Sequence, residues 1–236
     1  MDVIVVPIQV RAAKRLVKTI PIVMISTIDP VGNSLVDNLA HPGGNITGFS
    51  TLGRELSGKR LELVKEVAPK TNRVGILRNP DDPSNSDDIM KEFELTAQAL
   101  NLDLQRLDVH GAKPDLDNVF KVSNKTRVNA VVTLTPLLID QQKRIADLAI
   151  KNRLPTMFEG STWVEAGGLM SYSADEPDVF RRAATYVDKI LKGTKPADLP
   201  VEQPKKFEFL INLKTTKQIG LTIPANVLAR ADRVIK

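Results

Sequence analysis

The sequence predicts an α/β protein built on doubly wound, mostly parallel sheets. Short apolar runs with the length of buried strands alternate with stretches in which apolar residues recur every three or four positions, as in amphipathic helices. Segments rich in Pro, Gly, Asn and Asp separate these runs. Strands that alternate with helices are joined by crossover connections, so this order favours parallel sheets covered by helices.

The stretch 74–109 shows the clearest succession of strand, loop, helix and strand. Its first apolar run, VGIL from Val74, is followed closely by Asn79-Pro80, and the loop DDPSNSDD then precedes a helical pattern. Ligands of open α/β sheets bind at the carboxyl ends of strands, often against a helix N-terminus, so this loop is the leading candidate for ligand contact. The alternative is that its Ser, Asn and Asp residues only cap the helix.

The other strands and helices follow from the same two patterns. Strands are predicted, in chain order, at 2–6, 21–26, 45–49, 74–77, 102–109, 128–135, 155–158, 169–172 and 207–213. Helices are predicted at 12–18, 31–39, 55–68, 89–101, 116–122, 138–150, 161–166, 180–191 and 215–219. Pro42 with the two glycines that follow it, Gly193 and Gly220 are the predicted stops of three of these helices.

Composition narrows the class of protein. The chain has 236 residues, of which 42% are hydrophobic and 26% charged, as in ordinary globular proteins. It has no cysteine, which excludes disulfides, thiolate metal sites and cysteine nucleophiles. The net charge of +5 comes from basic residues spread among acidic ones, which is typical of a solvated surface and does not favour nucleic-acid binding. No apolar run approaches the ~18 residues of a membrane-spanning helix.

Motifs of catalysis are missing from the sequence. There is no G-x-S-x-G nucleophile elbow, no phosphate-binding lysine loop and no G-x-G-x-x-G. The two histidines, His41 and His110, lie far apart without metal-ligand spacing, and the aspartates between 81 and 88 lack the Gly and Glu of a calcium loop. We therefore predict a protein that is not an enzyme and that carries no metal or cofactor.

Five segments together resemble one family, the substrate-binding proteins of ABC transporters with the type I periplasmic-binding-protein fold, related to tryptophan- and tyrosine-binding lipoproteins. They are TIPIVMISTIDPVGNSLVDNLAHPGGNITGFS at 19–50, ELSGKRLELVKEVAP at 55–69, VGILRNPDDPSNSD from Val74, VEAGGLMSYS from Val164, and RRAATYVDKILKGTKPADLPVEQPKKFEFLINLKTTKQIGLTIP from Arg181. Their order is unbroken, and the match covers essentially the whole chain.

The resemblance implies a two-lobed fold, each lobe a doubly wound, mostly parallel sheet. Lobe one is expected at 1–50 plus 175–199, and lobe two at 51–174 plus 200–236. Family members resemble this chain only after about two further βα units. The first lobe is therefore expected to be incomplete at its N-terminus, with an open sheet edge through which two copies pair as a homodimer.

The resemblance also implies a function. The chain is expected to be the solute-binding component of an ABC importer, which captures a small amino-acid-like ligand in an interlobe cleft by hinge closure. The resemblance favours aromatic amino acids as the ligand. Its expected partners are an ABC permease and its ATPase, and its expected location is the periplasm or a lipid anchor outside the cytoplasm, although the given chain has no signal-peptide pattern. The alternative is a non-transporting ligand-sensing or vestigial structural fragment of the same fold.

Residues at the predicted strand ends are the candidate ligand contacts. Asp29 and Glu159 offer carboxylates for a ligand ammonium group, with capping of the helix at Val31 as the alternative role of Asp29. Amide and hydroxyl donors for a carboxylate come from three residues of the loop after Leu77: Asn79, Ser84 and Asn85. The remaining candidates follow or end later strands: Thr135, Pro136, Phe158 as a pocket wall, Ser171 and Tyr172.

Overall fold

The fold is presented by a computed structural model that describes residues 2–7, 9–53, 55–80, 87–111, 113–134 and 136–236. The chain divides into two compact units. Unit 1 comprises Met1–Gly53 and Ala174–Phe207, and unit 2 comprises Arg54–Ser173 and Glu208–Lys236. The chain therefore passes from one unit to the other three times.

Strands and helices alternate along both units. The strands are β1 (Ile4–Val6), β2 (Ile22–Ile28), β3 (Ile46–Thr51), β4 (Arg73–Arg78), β5 (Asp103–Asp108), β6 (Ala130–Leu134), β7 (Thr156–Phe158), β8 (Met170–Ala174), β9 (Phe207–Asn212) and β10 (Arg233–Ile235). The helices are α1 (Val10–Leu16), α2 (Glu55–Val67), α3 (Asp87–Ala99), α4 (Leu116–Lys125), α5 (Gln142–Lys151), α6 (Ser161–Glu165), α7 (Glu176–Leu191), α8 (Leu213–Ile219) and α9 (Ala225–Leu228). Two 3-10 helices lie at Pro136–Gln141 and Pro196–Asp198.

Unit 1 contains a three-stranded parallel sheet in the order β1-β2-β3. Successive side chains of a strand point to opposite faces, so β2 supplies both cores of the unit. Val23 and Ile25 pack with α7 on one face, and Ile22 and Met24 pack on the other face with Val10 of α1.

Gly48 of β3 shows why a glycine is needed inside this sheet. It pairs with Met24 of β2 and has a φ of +129°. A Cβ atom at this position would lie 2.2 Å from the carbonyl oxygen of Met24, which is a backbone atom of the neighbouring strand. Only glycine therefore fits without moving one of the two strands.

Unit 2 contains a seven-stranded sheet in the order β10-β9-β8-β7-β6-β4-β5. The pairs β4–β5, β4–β6, β6–β7, β7–β8 and β9–β10 all run parallel. From β4 the chain first adds β5 on one side and then β6 on the other, so the strand order reverses between β4 and β6. This reversal point is where open α/β sheets bind ligands, outside the carboxyl ends of the strands. The predicted α/β class with parallel sheets is confirmed.

The predicted helix at 31–39 is wrong. The segment forms turns and bends, and the carboxylate of Asp29 accepts a hydrogen bond from the backbone N–H of Gly32 at 2.9 Å. Asp29 and Ser34 adopt positive φ values of 41° and 52°. Short polar side chains that bond to their own backbone compete with a helix, and this segment is rich in them.

Other element bounds differ by a few residues for local reasons. Helix α7 begins at Glu176 instead of the predicted 180, because the Asp175 side chain caps it by accepting the N–H of Asp178 at 3.0 Å. The predicted helix at 138–150 begins as the 3-10 helix Pro136–Gln141. The sequence pattern missed α9 and β10, which are only four and three residues long.

The segment 200–207 lies in unit 1, whereas the expected lobe two included it. Val201 packs in the core beside Ile22 and Met24. The backbone of Glu202 bonds to β3 in both directions, accepting the N–H of Ser50 at 3.0 Å and donating to the carbonyl of Gly48 at 2.9 Å. Backbone pairing with β3 therefore holds this segment in unit 1.

Candidate functional site

Several of the predicted ligand contacts lie at the carboxyl edge of the sheet in unit 2. Asn79 follows the last residue of β4, and Glu159 follows the last residue of β7. Phe158 pairs with Ser171 of β8, and Glu159 and Tyr172 are the residues that follow this pair. The fold thus brings residues from distant parts of the sequence to one edge, as expected for parallel strands.

A buried arginine that sequence reasoning did not single out lies at the same edge. Arg60 is in the first half of α2 and is only 3% exposed. Its Nε donates a hydrogen bond to the backbone carbonyl of Tyr172 at 3.0 Å. Among the residues that the structure describes, no acceptor bonds to its Nη1, and that atom is closed off from water.

The electrostatics of Arg60 reflect its burial. Burial lowers the pKa of the Arg60 guanidinium, and the charges of Glu159 and Tyr172 act in the opposite direction. An arginine keeps its proton even so, because its unperturbed pKa is far above neutrality. A permanent cation therefore lies beneath the carboxyl edge of this sheet.

The spacing of α2 contains a signal for this arginine. Its buried residues include Leu56, Leu61, Val64 and Val67, and Arg60 stands four positions after Leu56 and four before Val64. Residues four apart share one face of a helix, so Arg60 occupies the face that packs against the sheet. A charged residue on that face is uncommon and marks a position to inspect.

Ser171 adds a second buried polar group without a hydrogen-bond partner at this edge. It is 1% exposed, and no described residue bonds to its Oγ. Tyr172, the next residue, is half-buried, and its ring meets that of Phe209 edge-on with 6.4 Å between centroids. Buried hydroxyls usually have partners, so an unpartnered one calls for an explanation.

Phe158 lies in the hydrophobic core of unit 2. It is 0% exposed and stacks on Trp163 with 5.1 Å between ring centroids. A Cβ atom on Gly168 would lie 2.4 Å from the Phe158 ring, which shows how closely the backbone approaches. The side chain of Phe158 is therefore part of the core, and the next residue, Glu159, is the one that lies at the carboxyl edge.

The strand end at Asn79 is also tightly packed. Asn79 is 3% exposed. Arg78, directly before it, donates from Nε to Asp108 of β5 at 2.8 Å, which ties the ends of the two strands together. Unlike Arg60, Arg78 thus has a carboxylate partner within its own sheet.

Asp29 lies in unit 1, after the last residue of β2, and its side chain is exposed. Because no helix forms after it, its bond to Gly32 caps a turn and not the predicted helix. Three further candidates, Ser84, Asn85 and Thr135, lie outside the described residues. Pro136 begins the 3-10 helix that follows β6.

Unit 1 contains a connected group of charged and aromatic residues, the Arg182 network, which consists of Phe49, Asp178, Arg182, Tyr186 and Glu202. Arg182 bonds to Glu202 and lies 3.8 Å from Asp178. Its guanidinium also lies over the Phe49 ring, 4.9 Å from the centroid. The Tyr186 hydroxyl lies 2.9 Å from Oε1 of Glu202. Each charged group of the network therefore has a partner of opposite charge.

The network shifts the pKa values of two of its members. Burial alone raises the pKa of Glu202, but the hydrogen bonds from Arg182 and Tyr186 outweigh it and hold the pKa below its ordinary value. Burial and the bond to Glu202 raise the pKa of Tyr186. Both shifts favour the ionised carboxylate next to a neutral phenol at neutral pH.

Within the described part of the chain, no cluster of three or more His, Asp or Glu side chains is arranged to hold a metal ion. No described helix combines the length and the apolar character needed to cross a membrane.

Comparison with known proteins identifies the family. The sequence model of the family of ABC transporter substrate binding proteins matches residues 1–235, and the chain belongs to this family. It is 27% identical over 212 residues to the tyrosine-binding protein of Clostridioides difficile (strain R20291). That match covers 89% of this chain, which spans 60% of the length of that relative.

Two solved structures are similar in both sequence and fold. A conserved domain protein from Vibrio cholerae O1 biovar eltor is 28% identical with a TM-score of 0.88, covering 98% of this chain and 77% of that one. The ABC domain in complex with L-Trp from Streptococcus pneumonia is 27% identical with a TM-score of 0.86, covering 99% and 80%. The predicted family resemblance and the type I periplasmic-binding-protein fold are confirmed.

Proposed function

We propose that the chain is the solute-binding component of an ABC importer and captures a small amino-acid-like ligand in a cleft by hinge closure. Membership of the substrate-binding family carries this proposal. A similar structure holds L-Trp, and a curated relative is a tyrosine-binding protein, so aromatic amino acids are the leading ligands.

The groups at the carboxyl edge of unit 2 suit an amino acid. Glu159 is the candidate acceptor for the ligand ammonium group, since a carboxylate forms charge-assisted bonds with it. Ser171 pairs with the last residue of β7, and Asn79 follows the last residue of β4. Their side-chain hydroxyl and amide donors suit a carboxylate. Both ionic groups of a free amino acid thus have chemically matched candidates on one sheet edge.

We also propose Asp29 of unit 1 as a carboxylate that contacts the ligand ammonium group. Its exposed carboxylate follows the carboxyl end of β2, which is the corresponding edge of the other parallel sheet. Ser84, Asn85, Thr135 and Pro136 stay predictions of ligand contact.

Calorimetric titration of the purified protein with each of the twenty amino acids tests the ligand class. We expect heat from aromatic amino acids, and we expect Glu159→Gln to weaken their binding by roughly tenfold or more, because a charge-assisted bond is lost. Glu165→Gln is the matched control, since Glu165 is an exposed residue that pairs with Arg233 on the surface of the same unit. Absence of heat with all twenty amino acids would contradict the proposal.

The importer role needs a separate experiment. When the protein is added with its ligand to the permease and ATPase in vesicles, we expect faster ATP hydrolysis than with the ligand alone. Tight ligand binding without any effect on ATP hydrolysis would favour the ligand-sensing alternative. Cell fractionation tests the proposed location outside the cytoplasm.

Pairing of two copies through unit 1 stays a prediction. In the described residues β1 pairs with β2 on one side and has no strand on the other, and Val5 in β1 is 44% exposed. Open edges of this kind favour strand pairing between chains. Light scattering that gives the mass of a monomer at all concentrations would count against a dimer.

A further inference from the structure

We propose that Arg60 is a specificity-determining residue, whose buried cation makes the carboxyl edge of unit 2 prefer ligands with a carboxylate over amines without one. The inference rests on the proposed function and adds to it the group that selects zwitterions. It starts from the fact that Arg60 lies beneath this edge and is 3% exposed.

The surroundings of Arg60 only partly compensate its charge. Its one described hydrogen bond joins Nε to the Tyr172 carbonyl, which is a neutral acceptor. The nearby carboxylate of Glu159 acts on it electrostatically. Nη1 has no acceptor among the described residues. Charged groups without full compensation are costly to bury, so a folded protein retains one where the charge has a use.

The location of Arg60 gives that charge a use. Strand β8, to which it bonds, runs parallel to β7 and ends at the same edge, and Glu159 and Tyr172 follow the last paired residues of the two strands. Both residues are near enough to Arg60 to act on its charge. Glu159 is the candidate partner for a ligand ammonium. A cation close to that carboxylate leaves the edge with both signs of charge, which complements a zwitterion and disfavours a simple amine.

Burial also makes the cation effective at a distance. Nη1 is closed off from water, so little solvent screens the charge. The interaction of two charges grows as the effective dielectric constant falls, which makes a buried arginine act over a longer range than an exposed one. The bond to Tyr172 fixes the plane of the guanidinium, and Ser171, one residue before that carbonyl, adds a buried hydroxyl that no described residue bonds.

The experiment compares each amino acid with the amine that lacks its carboxylate: L-tryptophan with tryptamine, and L-tyrosine with tyramine. Affinities are measured by calorimetry for the wild type, Arg60→Gln and Arg60→Lys. We expect the wild type to prefer the amino acid, Arg60→Gln to reduce that preference by roughly tenfold or more, and Arg60→Lys to retain most of it because the charge is kept.

Arg73→Gln is the matched control. Arg73 belongs to the same unit as Arg60 and lies at the amino end of β4, opposite the carboxyl edge. Its guanidinium bonds to Asp103 at 3.0 Å and to the carbonyl of Thr126 at 2.7 Å. We expect it to lower stability without changing the preference. A role of Arg60 in stability alone would weaken the amino acid and its amine equally and leave their ratio unchanged.

A second measurement keeps the inference testable if Arg60→Gln does not fold. In wild-type protein labelled with ¹⁵N-arginine, we expect L-tryptophan to shift the resonance of a water-protected guanidinium more than tryptamine does. Equal shifts, or an unchanged preference in a folded Arg60→Gln variant that still binds, would overturn the inference and leave the proposed function standing. Failure of the wild type to bind any of the four ligands would contradict both.

Discussion

Two arginines, one in each unit, differ in how their charges are compensated. Arg182 in unit 1 bonds to Glu202, lies near Asp178 and covers the ring of Phe49. Arg60 in unit 2 is more deeply buried, and its single described hydrogen bond goes to a neutral carbonyl.

The difference separates two uses of an arginine, one partly buried and one almost fully buried. Arg182 has anionic partners that belong to its own unit, so its interactions are complete without a ligand and serve the fold. Arg60 has donors without acceptors at the edge where ligands of this fold class bind. Incomplete compensation, and not burial alone, is therefore the property that distinguishes Arg60 and on which its proposed role rests.

The largest expected effect comes from disturbing the strand beneath the Arg182 network. Gly48→Ala places a Cβ atom against the backbone of Met24, and the carbonyl of Gly48 accepts the N–H of Glu202. We expect a loss of about 3 kcal/mol or more in the free energy of unfolding, measured by urea unfolding. Circular dichroism should reveal the loss at lower urea than the fluorescence of Trp163, the single tryptophan, which reports on unit 2.

Gly44→Ala is the control for this substitution, because a Cβ atom there meets nothing within 4 Å. We expect its stability to stay within about 1 kcal/mol of the wild type. Equal losses for Gly48→Ala and Gly44→Ala would show that the close approach to Met24 is not the cause.

The next effect compares the two arginines directly. Arg182→Met leaves Glu202 and Asp178 without their shared cation, although Lys205 and Lys206 stay close to them. We expect a loss of about 2 kcal/mol. Arg60→Met removes a bond to a neutral carbonyl and a costly buried charge, but it also takes a nearby cation from Glu159. These effects partly cancel, so we expect a loss of about 1 kcal/mol. Urea unfolding of both variants in the absence of ligand measures the difference. A greater loss of stability for Arg60→Met than for Arg182→Met would show that the charge of Arg60 contributes more to folding than that of Arg182.

The smallest effect concerns pH and the carboxylate of the Arg182 network. The pKa of Glu202 is lower in the folded protein than its ordinary value, so the folded state releases this proton more readily than the unfolded state. The resulting stability is present above the ordinary pKa and is lost as pH falls through the folded one. We expect a decrease of about 1 kcal/mol between roughly pH 5 and pH 3 that is absent in Glu202→Gln.

Asp117→Asn controls for general acid effects in this experiment. The hydrogen bond from Arg144 lowers the pKa of Asp117 as well, but this aspartate is on the surface of unit 2. We expect the substitution to leave the pH dependence of unit 1 unchanged. A Glu202→Gln variant with the same acid sensitivity as the wild type would show that other carboxylates cause it.

The sequence predicted most strands and helices because their patterns are local. Val23 and Ile25 alternate with Ile22 and Met24 as a strand buried on both faces requires. The helix expected at 31–39 failed because its polar residues bond to nearby backbone instead. Side-chain hydrogen bonds of that kind compete with a helix, and the spacing of apolar residues gives no sign of them.

The candidate site was predictable only in part. Position after a strand placed Asn79 and Glu159 correctly at the carboxyl edge, because the end of a parallel strand has a fixed place in the sheet. Their contact with a ligand stays a prediction. Arg60 escaped notice because its role depends on a contact with Tyr172, far along the sequence. Phe158 satisfied the same positional rule, yet its side chain turned into the core against Trp163, since strand position does not tell which face a residue occupies.

The discontinuous course of unit 1 has a consequence for biosynthesis. Strands β1 to β3 leave the ribosome early, but α7, which covers Val23, Ile25 and Phe49, is made only after the first segment of unit 2, Arg54–Ser173. Until then the nascent sheet exposes an apolar face that is prone to aggregation. We expect unit 1 to complete its core first, when Tyr186 reaches Phe49, and unit 2 to complete its sheet last, when β9 and β10 follow.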